Sequence, residues 1–278
     1  MRLAISNIAW DIVEDEAVAT LLKRFAVDAI DIAPGKYFPE PAKATNGDIA
    51  QVKDWWAQRG IEITGMQALL FGTTGLNVFG SAESQAALLT HLAGVCRIGA
   101  GLGATRVVFG SPKNRDRSGL SDEQAFAVAV PFFRQLGDIA HSNGVTICLE
   151  PNPTCYGANF MTTSAETAAV VRAIDHPAIR MQLDTGALTI NGEDPQQVLN
   201  ECAGLVGHVH ASEPDLLPLG DGGTDHVQMA LALKRYLPGH VVSIEMVATK
   251  DESHLRSIER ALGVAFRSYR TDSVEVGA

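Results

Sequence analysis

The sequence predicts an α/β protein: a single (β/α)8 TIM barrel over residues 1–270, with a short C-terminal tail at 271–278. Three observations predict it. Short runs rich in Val, Ile and Leu alternate with longer segments at helical spacing, and the alternation repeats eight times. Several of the short runs are almost continuously apolar, as parallel strands covered on both faces should be. Eight units in about 270 residues average about 34 residues each, which fits a closed barrel better than an open doubly wound sheet.

The first strand lies in LAISNIAW, after which Leu21, Leu22 and Phe25 fall on one helical face. AIDIAP comes next, followed by Ile49, Val52, Trp55 and Trp56, with Gly60 placed as a C-terminal cap. EITGMQALLFG leads to a helix through Leu88, Leu92 and Val95. RVVFGSP precedes Phe132, Phe133, Leu136 and Ile139, where Pro131 should kink the helix or mark its start, and Gly144 closes it. TICLEPNP is followed by TSAE, which resembles a capping box before a helix from about 165. IRMQLDTG, LVGHVHASEP and VVSIEMV complete the strands, the last followed by Leu255, Ile258, Leu262 and Phe266. Spacings of three and four put each apolar set on one face. GAGLG at 99–103 ends a helix and precedes a strand, the wrong order for a dinucleotide-binding turn.

Composition narrows the partners. A net charge of −10 and the absence of a Lys/Arg cluster argue against nucleic acid, whose binders draw affinity from basic side chains. No apolar run approaches the roughly 18 residues of a membrane span, and MRLAISNIAW does not read as a signal peptide. Cys96, Cys148, Cys155 and Cys202 are scattered without a C-x-x-C pair, so reduced thiols and a cytoplasmic protein are expected. The expected partner is a small molecule, and a homo-oligomer is left open.

The last four strands end in ionisable residues: Glu150 closes TICLE, Asp184 closes IRMQLD, His210 closes LVGHVH and Glu245 closes VVSIE. In a (β/α)8 barrel all strand ends open on one face, so these four converge at one mouth. Carboxylates packed together repel and take up protons unless positive charge holds them ionised. A divalent metal supplies it. Three carboxylates and one imidazole make a mainly hard oxygen site, which favours Mn²⁺, with Mg²⁺, Co²⁺ or Zn²⁺ as alternatives.

Further candidates surround the mouth. His208 lies one layer below His210 on the same strand face, as a second-layer or substrate hydrogen-bonding partner or as a satisfied core histidine. Gln182 stands in the same relation to Asp184 and could orient it. Glu213 reads either as a deeper partner or as the cap of the next turn. SPKNRDR brings Lys113 and Arg115 near the mouth, where they could bind a carboxylate or phosphate. Trp10 and Gln67 end strands one and three, and Trp10 could stack on a sugar face. GDGG at 220–223 reads as a turn, with a phosphate loop as the weaker alternative.

CLEPNP, QLDTG, HVHASEPD with PLGDGG, and IEM resemble the sugar phosphate isomerase/epimerase members of the xylose-isomerase-like TIM-barrel superfamily, relatives of D-tagatose 3-epimerase and hydroxypyruvate isomerase. The resemblance implies that Glu150 and Glu245 bind the metal and also exchange a proton with the substrate carbon. The function expected is then a divalent-metal-dependent isomerase or epimerase in carbohydrate metabolism, working through a metal-stabilised enediolate with carboxylate acid/base residues. A lyase or dehydratase of a keto-sugar, keto-inositol or keto-glycoside on the same site is the alternative. Three departures bear on substrate: Ala187 replaces a histidine of ketose 3-epimerases, Leu216 an arginine, and Tyr156 a glutamate. Tyr156 therefore stands at a substrate-binding position with different chemistry. A multinuclear zinc phosphodiesterase would also need the histidine that Ala187 replaces.

Overall fold

The structure, a computed structural model, describes residues 1–270. The expected tail at 271–278 lies outside the described residues. Eight parallel strands close into a barrel in sequence order. They are β1 (Arg2–Ser6), β2 (Ala29–Ile32), β3 (Glu62–Met66), β4 (Arg106–Phe109), β5 (Thr146–Leu149), β6 (Ile179–Asp184), β7 (Val206–Ser212) and β8 (Val241–Glu245). Closure is a continuous register of β1 on β8, from Arg2 beside Val241 to Ile5 beside Ile244. Each strand falls within the apolar run expected to contain it, except that β1 starts one residue earlier, at Arg2.

Nine helices among the described residues wrap the barrel: α1 (Asp15–Arg24), α2 (Asn46–Ala57), α3 (Ala82–Leu102), α4 (Asp122–Ser142), α5 (Ser164–Ile174), α6 (Thr185–Asn191), α7 (Pro195–Cys202), α8 (His226–Tyr236) and α9 (His254–Ala265). Their starts are fixed by side chains that accept otherwise unpaired amides of the first turn. Thr163 accepts from the Glu166 amide at α5, and the Glu166 carboxylate takes the Thr162 amide at 2.7 Å, so TSAE does open a helix. Gly60 and Gly144 end α2 and α4 at φ 75° and 67°, a left-handed backbone that glycine adopts without a Cβ penalty.

Two local expectations change. Pro131 does not mark the start of α4 but lies inside it. The carbonyl that loses its partner belongs to Ala127, and both residues are on the exposed face, where water can replace the missing bond. Phe266 falls just beyond α9, in a wider turn at Phe266–Arg270, and is exposed instead of sharing the buried face. The four cysteines are free thiols, with Cys155 alone exposed. Among the described residues no helix is long and apolar enough to cross a membrane.

Candidate metal centre

At the carboxyl end of the barrel the structure brings Glu150, Asp184, His210 and Glu245 together, one ligand atom of each lying within 4.8 Å of the others. Parallel strands make this possible: β6 and β7 pair with Asp184 beside His210, and β7 and β8 with Ser212 beside Glu245. His210 Nδ1 lies 3.2 Å from Glu245 Oε2 and 3.5 Å from Glu150 Oε1. His210 is inaccessible, while Glu150, Asp184 and Glu245 keep 7 to 9 % of their surface.

Each carboxylate is held by neighbours. Asp184 doubles as the N-cap of α6, accepting from the Ala187 amide at 2.7 Å, and its second oxygen accepts from Ser212 Oγ at 2.7 Å. Thr185 Oγ1 bonds both the amide and the carbonyl of Ser212, latching β6 to β7. Gln67 Nε2 donates to Glu245 Oε1 at 2.6 Å, and Asn152 Nδ2 donates to Glu150 Oε2 at 3.3 Å. Glu150 Oε1 has no hydrogen-bond partner although it is buried.

The donor set fits a divalent cation. Burial, then Glu245 and Glu150, push the Asp184 carboxyl up to about 8. Burial opposes the charged form of His210, but the carboxylates of Glu245 and Glu150 outweigh it and raise the imidazole well above its ordinary value. For Glu245 burial is likewise outweighed, by His210 and by hydrogen bonds, so its pKa falls. The side chains alone thus collect protons to offset their own charge, and a dication can take the place of those protons.

A second polar layer lies beneath. His208 is buried, with Nε2 2.7 Å from Asp31 Oδ2, and its ring meets that of His210 edge-on at 5.2 Å. It supports the layer below instead of reaching the mouth, a correction to its candidacy as a substrate contact. Asp31 also accepts from Thr64 Oγ1 at 3.0 Å. Burial would raise its pKa, but His208 and other partners hold it down at about 2. Gln182, with its amide oriented to suit its neighbours, donates to the His208 carbonyl and accepts from the His210 backbone amide at 3.2 Å. It serves β7, where orientation of Asp184 was expected.

The remaining candidates divide. Trp10 is fully buried: its indole donates to Asp15 at 2.7 Å and its ring packs on Trp56. The sugar-stacking expectation is therefore corrected, because a tight turn at Asn7–Ala9 follows β1 and carries Trp10 into the wall. Glu213 is the cap of the next turn, accepting from the amides of Gly220 and Thr224 at 2.6 and 2.8 Å and meeting His226 Nε2 at 3.0 Å. The GDGG turn thus wraps an internal carboxylate. Lys113 is exposed and donates to the Thr73 carbonyl at 3.2 Å. Arg115 is buried completely, and none of its guanidinium nitrogens has a hydrogen-bond partner. Tyr156 is at the exposed rim, where its Oη accepts from the Asp215 amide at 2.7 Å.

Sequence reasoning missed Asp31, Ser212 and Gly110. A Cβ on Gly110 would stand 1.9 Å from Glu150 Oε2, so this glycine makes room for the carboxylate. Its signal was a glycine directly after the strand RVVF, next in the barrel to the strand that ends at Glu150.

A family model described as xylose isomerase-like TIM barrel matches residues 19–265. Among solved structures, a D-psicose 3-epimerase with D-tagatose from Clostridium cellulolyticum H10 superposes with a TM-score of 0.79 at 18 % identity, covering 98 % of this chain and 100 % of that one. A 3-keto-D-glucoside 4-epimerase, YcjR, from E. coli gives 0.76 at 18 % identity, over 94 % and 98 % of the two chains. An IolI protein with a bound zinc atom gives 0.75 at 19 % identity, over 97 % and 98 %.

Proposed function

The chain belongs to the xylose isomerase-like TIM-barrel family, and from that premise we propose that it is a divalent-metal-dependent isomerase or epimerase of a sugar or sugar derivative. One observation carries the reading: three carboxylates and one imidazole from β5 to β8 converge within 4.8 Å at the catalytic end of the barrel. In this reading Glu150, Asp184, His210 Nδ1 and Glu245 hold the ion, with Mn²⁺ favoured by the oxygen-rich set. When bound, the ion supplies the positive charge that a developing enediolate needs.

The acid/base work falls to Glu150 and Glu245, which stand three strands apart around the mouth. Gln67 fixes Glu245 from one side, and Asn152 with the gap at Gly110 sets Glu150 from the other. Carboxylates held apart can remove a proton α to a carbonyl from one face and return one to the other, which is epimerisation; one base serving two carbons gives isomerisation. The orphaned Oε1 of Glu150 is available to such a proton or to the metal.

The test is metal content followed by proton exchange. About one equivalent of divalent metal is expected in the wild type and none in His210→Ala. Keto-sugars incubated in D₂O with the Mn²⁺-loaded protein should gain one deuterium without another change of mass, and Glu245→Gln should abolish that. Loss of water or of an aglycone would replace the reading with a lyase. Undiminished exchange by Glu245→Gln would remove Glu245 as a base.

A further inference from the structure

Two histidines of β7 face one oxygen of a single carboxylate from β2. His208 Nε2 lies 2.7 Å from Asp31 Oδ2, and His210 Nε2 lies 3.9 Å from the same atom. All three side chains are buried, and one ligand-type atom of each lies within 4.8 Å of the others. His210 Nε2 has no hydrogen-bond partner. In the proposed site the ion is held by the opposite nitrogen, Nδ1, and a neutral imidazole that gives up its lone pair there carries its hydrogen on Nε2. That N–H is enclosed by protein, and 3.9 Å is too long for a hydrogen bond, so Asp31 acts on it through charge.

Two irregularities in the sheet aim these groups at each other. β2 pairs with β3 as Ile30 beside Ile63 and then Asp31 beside Gly65, so that Thr64 is passed over. The Thr64 hydroxyl donates to Asp31 Oδ1 at 3.0 Å, which leaves Oδ2 to the histidines. A Cβ on Gly65 would stand 2.6 Å from Asp31 Oδ1, so the shifted register sets a glycine where the carboxylate needs room. On β7 Gly207 is passed over in the same way, between Val206 beside Met181 and His208 beside Gln182. Such bulges re-aim side chains and are over-represented beside active sites. Stability does not account for the arrangement: Asp31 is the single polar residue of β2, and buried charged groups are often replaced by apolar packing without loss.

We propose that Asp31 is a positioning residue for His210: its carboxylate keeps the imidazole turned so that Nδ1 faces Glu150 and Glu245, and strengthens that nitrogen as a metal donor, while His208 and Thr64 hold Asp31 in place. The inference rests on the proposed metal centre and deepens it. It also accounts for the spacing of the two histidines, since residues i and i+2 of a strand point the same way and one anion can serve both. A carboxylate behind a metal-bound histidine fixes its tautomer and raises its basicity, and losing such a partner typically costs about 10- to 100-fold in metal affinity. Because Asp31 acts through the imidazole alone, its loss should weigh most on ions that favour nitrogen, such as Co²⁺, and least on Mg²⁺, which favours oxygen.

The experiment measures metal binding and needs no substrate. Co²⁺ and Mg²⁺ are titrated by calorimetry into metal-free wild type, Asp31→Asn and Thr64→Val, with thermal unfolding of each metal-free protein as the control on folding. Asp31→Asn keeps the side chain's shape and removes its charge. It should weaken Co²⁺ binding by about tenfold or more and Mg²⁺ binding by less than about threefold, and should shift the visible absorption of bound Co²⁺. Thr64→Val takes away the hydroxyl that holds Asp31 Oδ1 and should weaken Co²⁺ binding by about threefold. If Asp31→Asn yields no folded protein, Thr64→Val decides. Wild-type Co²⁺ affinity in the folded variants overturns the proposal. So do equal losses for the two ions, which would make Asp31 a support of the packing alone. A wild type that binds neither ion removes the metal centre and the inference with it, whereas a metal-binding wild type beside an unaffected Asp31→Asn removes the inference alone.

Discussion

Replacing Gly110 by alanine sets a methyl group against the carboxylate of Glu150, which the proposed reaction needs. The added Cβ would lie 1.9 Å from Glu150 Oε2 and 3.0 Å from its Cδ, whereas ordinary van der Waals contact starts at 3.4 Å. Subtracting 1.9 from 3.4, the carboxylate oxygen must retreat by about 1.5 Å. Metal-ligand distances tolerate about 0.2 Å, and a misplacement of about 1 Å in a reacting group costs on the order of 10²-fold in rate. The clash is with the flexible end of a side chain, so the fold itself should lose less than about 1 kcal/mol.

The assay pairs Mn²⁺ titration with the rate of deuterium exchange, and thermal unfolding serves as a control on the fold. Metal affinity is expected to fall by about tenfold or more and exchange by about 100-fold, with the melting temperature of the metal-free protein nearly unchanged. A second substitution sharpens the test. Aspartate is shorter than glutamate by one C–C bond, about 1.5 Å, close to the retreat required. Gly110→Ala/Glu150→Asp should therefore bind metal better than Glu150→Asp and Gly110→Ala predict additively. A well-folded Gly110→Ala protein with wild-type metal affinity and exchange would refute the reasoning, because it would mean that Glu150 does not need its observed position.

Three other outcomes follow from the charges. Because the Asp184 pKa is raised to about 8, the metal-free native state holds an extra proton; the stability this contributes is complete below the ordinary carboxylate range and is lost as pH rises through about 8. Metal must displace that proton, so Mn²⁺ affinity should rise between pH 6 and 8 with proton release, seen by calorimetry in buffers of different ionisation enthalpy; a pH-independent affinity would contradict it. Glu213 is held down at about 2, against an ordinary 4.5, where hydrogen bonds from His226, Thr224 and Gly220 outweigh burial. It should contribute about 3 kcal/mol above pH 4.5 that fades as pH falls toward 2, so Glu213→Gln should destabilise at pH 7 and much less at pH 3 in urea unfolding. Arg115 is buried without a hydrogen-bond partner, and burial lowers its pKa to about 10 against the pull of Glu150 and Glu166. Arg115→Met should therefore leave stability unchanged or raise it by about 1–4 kcal/mol, and a clear loss would show that Glu150 and Glu166 compensate the charge at a distance.

The parts legible in the sequence were those whose signal is carried along one strand. Apolar runs placed all eight strands, and the strand-end positions of Glu150, Asp184, His210 and Glu245 needed only parallel direction to converge. The parts that were not legible depend on how one strand sits against another. Asp31 meets His208 from β2 to β7, across the barrel interior, and Ser212 meets Asp184 because β7 is shifted on β6 by an irregularity between Met181 and Gln182. Neither register is written in a local pattern. Trp10 failed for the opposite reason: it was read as a strand end, but β1 stops at Ser6 and a tight turn redirects the chain.

The same distinction explains why substrate was harder to read than metal. A metal ligand is recognised by residue type, since few side chains can donate to a dication. Rim residues are recognised only by exposure, and Val13, Leu217 and Val247 look in sequence like ordinary core residues. Folding separates them: Leu219, two residues beyond Leu217, is fully buried, while Leu217 stays in solvent because the left-handed turn at Asp215 and Leu216 points the chain outward. The four candidate ligands thus come from strand ends, while the rim around them is built by the loops that follow.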